Sequence, residues 1–286
     1  ESYFRQLKDS DPFGFYGFLA HRELHELLSA RPNLALDNPP RPSSMSPADF
    51  EMLQDLVYAD ELNLAQRFAQ PRLDTDSIER DQLLTRAFVH DYNSIQGIYF
   101  AKIPPADRNG FVAQYARMFY PEPYSQTVAT VISRNPRLDR EYVYSIMRQE
   151  SAFNPFSHSW ANAYGLLQIL PQVARGVMTK AGVNFTYDFE LYNPDINIPV
   201  GVAHMDDLID KTGSSFILRT AAYNATVEKT LEWRQRLYTG NVYEFMEEIP
   251  YDETRSYVRL VMRNYIMNLR LNAGAPIVFP ENLLDL

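Results

Sequence analysis

Apolar residues recur at three- and four-residue steps along most of this chain, and no alternating run bounded by hairpin turns competes with them. That period puts one side of each segment in a core only if the segment is a helix. From Phe50 to Phe68, Leu53, Leu56, Val57, Ala59, Leu62 and Leu64 share a stripe. Leu83, Leu84, Ala87, Phe88 and Tyr92 mark a second helix, and Val112, Tyr115, Ala116, Phe119 and Tyr120 a third. Proline falls between these stretches rather than inside them, at Pro39-Pro40, Pro42, Pro71, Pro104-Pro105, Pro121 and Pro123. The fold expected is all-α.

The same punctuation suggests how the chain is divided. Residues 1–135 read as successive short antiparallel helices, the kind that stack into a superhelix-like region. A Pro- and Ser-rich linker from Pro32 to Pro47 interrupts it. A boundary near Asn135-Pro136 opens a second helical domain, 136–272, and from Ala273 the chain reads as an extended tail, 273–286. With 286 residues, of which 45% are hydrophobic, there is material for one large or two ordinary cores.

Composition then removes classes of function. A net charge of -9 argues against a nucleic-acid partner, which calls for basic stripes. No stretch approaches the length of apolar sequence that spans a bilayer. The start, Glu1-Ser2-Tyr3-Phe4, carries no signal-peptide pattern and reads as that of a mature or trimmed chain. There is no Cys, hence no thiolate metal site and no cysteine nucleophile. The five His residues, at 21, 25, 90, 158 and 204, show no metal-ligand spacing, which leaves little support for a metalloenzyme.

One carboxylate stands out. A helix from about Asp139 to Ser151, with Asp139 as its N-cap, has Val143, Ile146 and Met147 as its buried stripe, and Glu150 continues that stripe. A carboxylate on an apolar face is costly unless it is paired or neutral. Two readings follow: a salt bridge, with Arg148 or a distant Arg, or a carboxyl whose pKa is raised by desolvation for use as a general acid. After the helix, Asn154-Pro155 forces a turn, and Ala163-Tyr164-Gly165-Leu166-Leu167-Gln168 leads into another apolar helix. No Asp or Glu occurs from Ser151 through Tyr187. A two-carboxylate glycosidase needs a partner about 5 to 9.5 Å from its acid. Such a partner must come from far along the chain or be absent, and a lone acid suits a substrate that supplies its own nucleophile.

The sequence from Glu150 to Pro155, then Ser159, then Ala163 to Gln168 and Pro171, resembles the first motif of the soluble lytic transglycosylase catalytic (SLT) domain, of goose-lysozyme-like fold. Asn193-Pro194, Asn197-Ile198 and Gly201 resemble its second motif, Ala221-Ala222-Tyr223-Asn224-Ala225 its third, and Glu247 to Pro250 with Glu253 to Val258 its fourth. Phe119 to Tyr124 is similar to the entry to that domain in the large periplasmic members, and Phe15 to Ala20 to their linker region. The resemblance implies a lysozyme-like α domain that cleaves peptidoglycan between N-acetylmuramic acid and N-acetylglucosamine, without cofactor, as a periplasmic or secreted bacterial monomer. It implies that Glu150 is the catalytic acid and base and that the product has a 1,6-anhydro end. Ser159 and Gln168 would hold the sugar, Tyr223 would steady developing charge near Glu150, Asn224 would support the cleft, and Glu247 would bind sugar or brace the structure.

Plainer readings stand beside these. Tyr223 and Tyr257 also suit core aromatics with satisfied hydroxyls, and Glu253 and Arg255 a structural ion pair. The chain departs from the family pattern at Ser157-His158, Asn162, Leu167, Leu170, His204 and Thr226. Two rival functions follow: a hydrolytic lysozyme, with Asp188, Glu190 or Asp195 as second carboxylate and a possible taste for de-N-acetylated glycan, and an inert peptidoglycan-binding protein.

Overall fold

In the computed structural model, the described residues are 1–28, 45–59, 61–72, 116, 119–273 and 275–286. The expected helix at Leu83–Tyr92, most of the one at Val112–Tyr120 and most of the Pro-rich linker lie outside them. Among the described residues the regular structure is helical throughout, as the 3.6-residue period requires, and the only β features are isolated bridges. The chain forms two compact units: Glu1–Arg31 with Ser125–Ser151 and Pro155–Leu286, and Pro32–Tyr124 with Ala152–Asn154.

In the second unit, the stripe between Phe50 and Phe68 is not one helix. It forms α3 (Pro47–Tyr58) and α4 (Leu62–Ala69). The Glu61 N–H bonds to Leu56 O, one residue further back than a regular ladder allows, which ends α3.

The larger unit begins with α1 (Ser2–Ser10) and α2 (Phe15–Glu23) and continues with α5 (Ser125–Ile132) and α6 (Arg140–Ser151). Next come α7 (Pro171–Ala181), α8 (Pro194–Thr212), α9 (Phe216–Asn224), α10 (Val227–Leu237), α11 (Val242–Glu248) and α12 (Asp252–Asn272). Helix α8 is apolar nearly all round, with Ile198, Val200, Val202, Met205 and Leu208 buried, so it has to be central. Asn193 caps it, accepting from the Asp195 N–H at 2.9 Å. Ser215, Thr226 and Asn241 cap α9, α10 and α11 in the same way.

The pairing that positions Glu150 is α6 against α12. Asp139 is the N-cap of α6, its Oδ1 accepting from the Tyr142 N–H at 2.8 Å and its Oδ2 from the Tyr265 hydroxyl at 2.7 Å. Along the interface Asn272 donates to Glu141, Asn268 to the Ser145 hydroxyl, and Asn264 to the Ser145 carbonyl. Tyr257 then donates to Glu150. The residue numbers run in opposite directions, so the helices are antiparallel. Asn264 and Asn268 are buried polar side chains, and their bonds fix the register along which Tyr257 meets Glu150.

The chain after α12 is also anchored. Leu28 and Ile277 exchange backbone hydrogen bonds, Phe279 and Leu283 are buried, and a 3₁₀ turn covers Glu281–Leu284.

Candidate active site

Glu150 sits in the last turn of α6, beyond the fully buried Val143, Ile146 and Met147. Its Oε1 accepts from the Tyr257 hydroxyl at 2.5 Å. Burial pushes its carboxyl up to about 7; the Tyr257 hydrogen bond pulls the other way, and the charge of Glu253 adds a further push upward. No cation among the described residues acts on it. Arg148, the partner expected of a structural salt bridge, donates instead to Asn264 at 3.2 Å. The carboxyl therefore divides between its neutral and charged forms near pH 7, so it can give a proton and take one back, the balance general acid–base chemistry requires.

The segment after α6 is built to hold a fixed shape beside that carboxyl. Ser151, the residue after Glu150, donates its hydroxyl to Leu166 O at 2.8 Å. Gly165 has φ +75°, and a Cβ there would lie 2.4 Å from Leu191 O and 2.5 Å from Asn197 Nδ2. Asn197, fully buried in α8, is the hub: its Nδ2 donates to Tyr164 O and Leu191 O, and its Oδ1 accepts from the Leu167 N–H. Gly201 lets Leu167 in, because a Cβ there would come within 2.3 Å of Leu167 Cδ1. Leu167 O in turn accepts from the Tyr223 hydroxyl at 2.7 Å.

Each residue singled out from sequence has a definite place. Tyr223, at the end of α9, is close enough for Glu150 to act on its hydroxyl, which burial foremost and then that charge push well above its usual range. Gln168 spends its amide N–H groups on Ser157 O and Gly165 O, 3.0 and 2.9 Å away, so it braces the loop. It also lines, with Tyr223, His204 and Thr226, a cavity of about 300 Å³. Ser159 Oγ accepts from the Ala163 N–H at 3.0 Å. Asn224 donates to Glu253 and accepts from the Thr254 hydroxyl, joining α9 to the start of α12. Glu247, on α11, is held by Arg259 at 3.0 Å and by the Tyr16 hydroxyl at 2.8 Å, and makes no bond to Glu150 or its tyrosines.

Two expectations change. Glu253 and Arg255 are not a pair: Glu253 bonds Asn224, while Arg255 engages Asp252 and Ile249 O, because residues two apart in a helix point to nearly opposite sides. The three candidate second carboxylates are otherwise engaged. Asp188 pairs with Arg175, Glu190 accepts from the Thr186 and Tyr187 N–H groups, and Asp195 accepts from Thr127. The carboxylate whose charge acts on Glu150 is Glu253. Sequence reasoning also left Tyr257 as a core aromatic and gave Asn197 no task. The signal for Tyr257 was its place in the segment Glu253 to Val258, which resembles the fourth motif.

Residues 128–246 match the family model of the transglycosylase SLT domain. Over 255 residues, 87% of this chain, the sequence is 27% identical to a soluble lytic murein transglycosylase of Salmonella typhimurium, of which that covers 38%. Over 128 residues it is 32% identical to the soluble lytic murein transglycosylase of Escherichia coli, covering 44% of this chain and 20% of that one. The crystal structure of the 70 kDa soluble lytic transglycosylase of Escherichia coli superposes with a TM-score of 0.78 at 22% identity, over 98% of this chain and 44% of that one. At that identity the likeness shows the fold. The chain spans less than half the length of these relatives.

Proposed function

We propose that this chain, related through its residues 128–246 to the soluble lytic transglycosylases, cleaves the glycan strands of peptidoglycan in the bacterial periplasm. The observation that carries the reading is the Glu150 carboxyl, desolvated, free of any described cation and poised to titrate at about 7 beside two tyrosine hydroxyls. Glu150 gives its proton to the oxygen joining N-acetylmuramic acid to N-acetylglucosamine, and the C1–O bond breaks. The muramyl C6 hydroxyl then closes onto C1 and returns its proton to Glu150. No water is consumed, and the two fragments together have the mass of the parent strand. Tyr257 and Tyr223 place hydroxyl dipoles where charge changes during the two transfers. Gln168 and Ser159 shape the loop wall against which the sugar lies, and Asn224 holds the α9–α12 junction under the cleft. Among the described residues, the carboxylate whose charge acts on Glu150 is Glu253, and one of its oxygens accepts from Asn224, which supports a structural task for it rather than that of a water-activating base.

Mass spectrometry of the soluble products from purified sacculi tests this. Products with 1,6-anhydro ends, one water lighter than reducing sugars, and their loss in Glu150→Gln are the expected result. Reducing-end products would establish hydrolysis instead, and release unchanged in Glu150→Gln would remove Glu150 from the reaction.

A further inference from the structure

The loop that carries Ser159 displays a group of aromatic rings that the cleavage chemistry does not use. The His158 and Tyr164 rings lie 4.4 Å apart, Tyr164 and Tyr192 5.2 Å, and Phe156 and Tyr192 6.3 Å, forming one chain of contacts. Phe156 is 58% exposed, and Trp160, at the tip of the loop, is fully exposed. Rings that met only one another for stability would turn their faces inward, whereas these border solvent.

The backbone beneath them is fixed. Ser159 N–H bonds to Ala163 O, Asn162 N–H closes the turn onto Ser159 O with φ +65°, and Tyr164 exchanges hydrogen bonds with Ile169. The Asn162 side-chain oxygen accepts from the Tyr164 hydroxyl at 2.9 Å and lies 3.0 Å from His158 Nε2. Asn162 and His158, both departures from the family pattern, thus fix the His158 and Tyr164 rings against each other.

We propose that Phe156, His158, Trp160, Tyr164 and Tyr192 form an added saccharide subsite, which stacks on the pyranose faces of glycan units next to those engaged at Glu150. The proposal rests on the reading of the chain as a glycan-cleaving enzyme. Three features select a sugar as the occupant. The loop adjoins the site: Ser157, between Phe156 and His158, accepts at its carbonyl from Gln168, which lines a cavity with Tyr223, and Leu166 O accepts from Ser151, the residue after Glu150. The loop itself carries no Asp, Glu, Lys or Arg from Ser151 to Val173, and the acids flanking Tyr192 are engaged elsewhere, Asp188 by Arg175, Glu190 by the Thr186 and Tyr187 N–H groups and Asp195 by Thr127, so the rings present no unpaired charge for an anionic headgroup. And it pairs flat apolar faces with polar edges at Asn162, His158 and Tyr164, matching a pyranose ring with its C–H face and rim of hydroxyl and acetamido groups.

The two tryptophans make the test direct, because Trp233 is buried at 2% exposure and serves as a folding reporter while Trp160 reports the surface. Peptide-free hexasaccharides of alternating N-acetylglucosamine and N-acetylmuramic acid are titrated into Glu150→Gln protein, which holds the strand uncut. A saturable blue shift is expected, absent when Trp160→Phe is added, with affinity about tenfold weaker in Phe156→Ala/Trp160→Ala and disaccharide affinity unchanged. Equal hexasaccharide affinity in the double variant, with Trp233 emission native, overturns the proposal. So does a Trp160 shift produced by phosphatidylglycerol vesicles and not by the sugar. The two readings separate cleanly. Sacculus cleavage by the wild type with no effect of the double variant on affinity sinks the subsite alone. Hexasaccharide binding through Trp160 without any cleavage sinks the activity alone.

Discussion

A carboxyl that titrates near 7 in the folded chain and near 4.5 when unfolded makes stability depend on pH in a definite direction. Below 4.5 both states hold the proton and Glu150 costs nothing. Between 4.5 and 7 the unfolded chain releases it and the folded chain does not, so this group's contribution to stability falls as pH rises and is fully lost above 7. The loss is at most about 3 kcal/mol. Glu150→Gln should therefore match the wild type in urea unfolding at pH 4 and exceed it at pH 8; an equal gap at both would mean that the carboxyl is not desolvated. Tyr257 acts on the same equilibrium from the other side. Its hydrogen bond favours the charged carboxylate, so Tyr257→Phe should raise the Glu150 pKa further and move the alkaline limb of the pH–activity profile up by about one unit. A merely structural Tyr257 would lower activity without moving the limb.

The elements around the site show which parts could be read in advance. Helix α6, its Asp139 cap and its apolar stripe were legible because helical period and capping chemistry are local. That Glu150 lies at the end of that stripe was legible for the same reason. Its partner was not, because Tyr257 arrives from 107 residues further on. Asn197 was hidden likewise: in sequence it is one polar residue in an apolar helix, and only the fold shows that three backbone groups of two other segments depend on it. The break between α3 and α4 escaped notice since apolar spacing continues across it. The loop wall supplies a test. In Asn197→Asp the Oδ1 still serves the Leu167 N–H, but a carboxylate oxygen replaces the donor to two carbonyls. Unfolding should show a loss of about 3 kcal/mol at pH 7 and a smaller one at pH 4, where a protonated acid can donate once. Gly165→Ala should cost at least about 2 kcal/mol at either pH, because its clash with Leu191 O and its positive φ do not titrate.

At the scale of the larger unit, the chain's first thirty residues belong physically with its last hundred and sixty, a grouping invisible to a reading that moves along the chain and divides it at prolines. The fasteners are specific. Arg22 bonds Glu281 and the Tyr243 hydroxyl, Leu28 pairs with Ile277, and Tyr16, Glu247 and Arg259 form a three-way clasp of α2, α11 and α12. Glu247 came to notice as a residue that binds sugar or braces the structure, and its neighbours make the choice measurable. If it braces, Glu247→Gln weakens one half-exposed clasp, which is worth about 1 kcal/mol. Amide exchange in α2 should then quicken about fivefold while KM for glycan stays within a factor of two. If Glu247 instead touches the strand, KM should climb with α2 exchange unchanged. Bracing is the expected outcome, since both oxygens of this carboxylate are already occupied by Arg259 and one of them also by Tyr16. A sugar hydroxyl would have to displace a charged partner whose Nη1 bridges both oxygens to reach it.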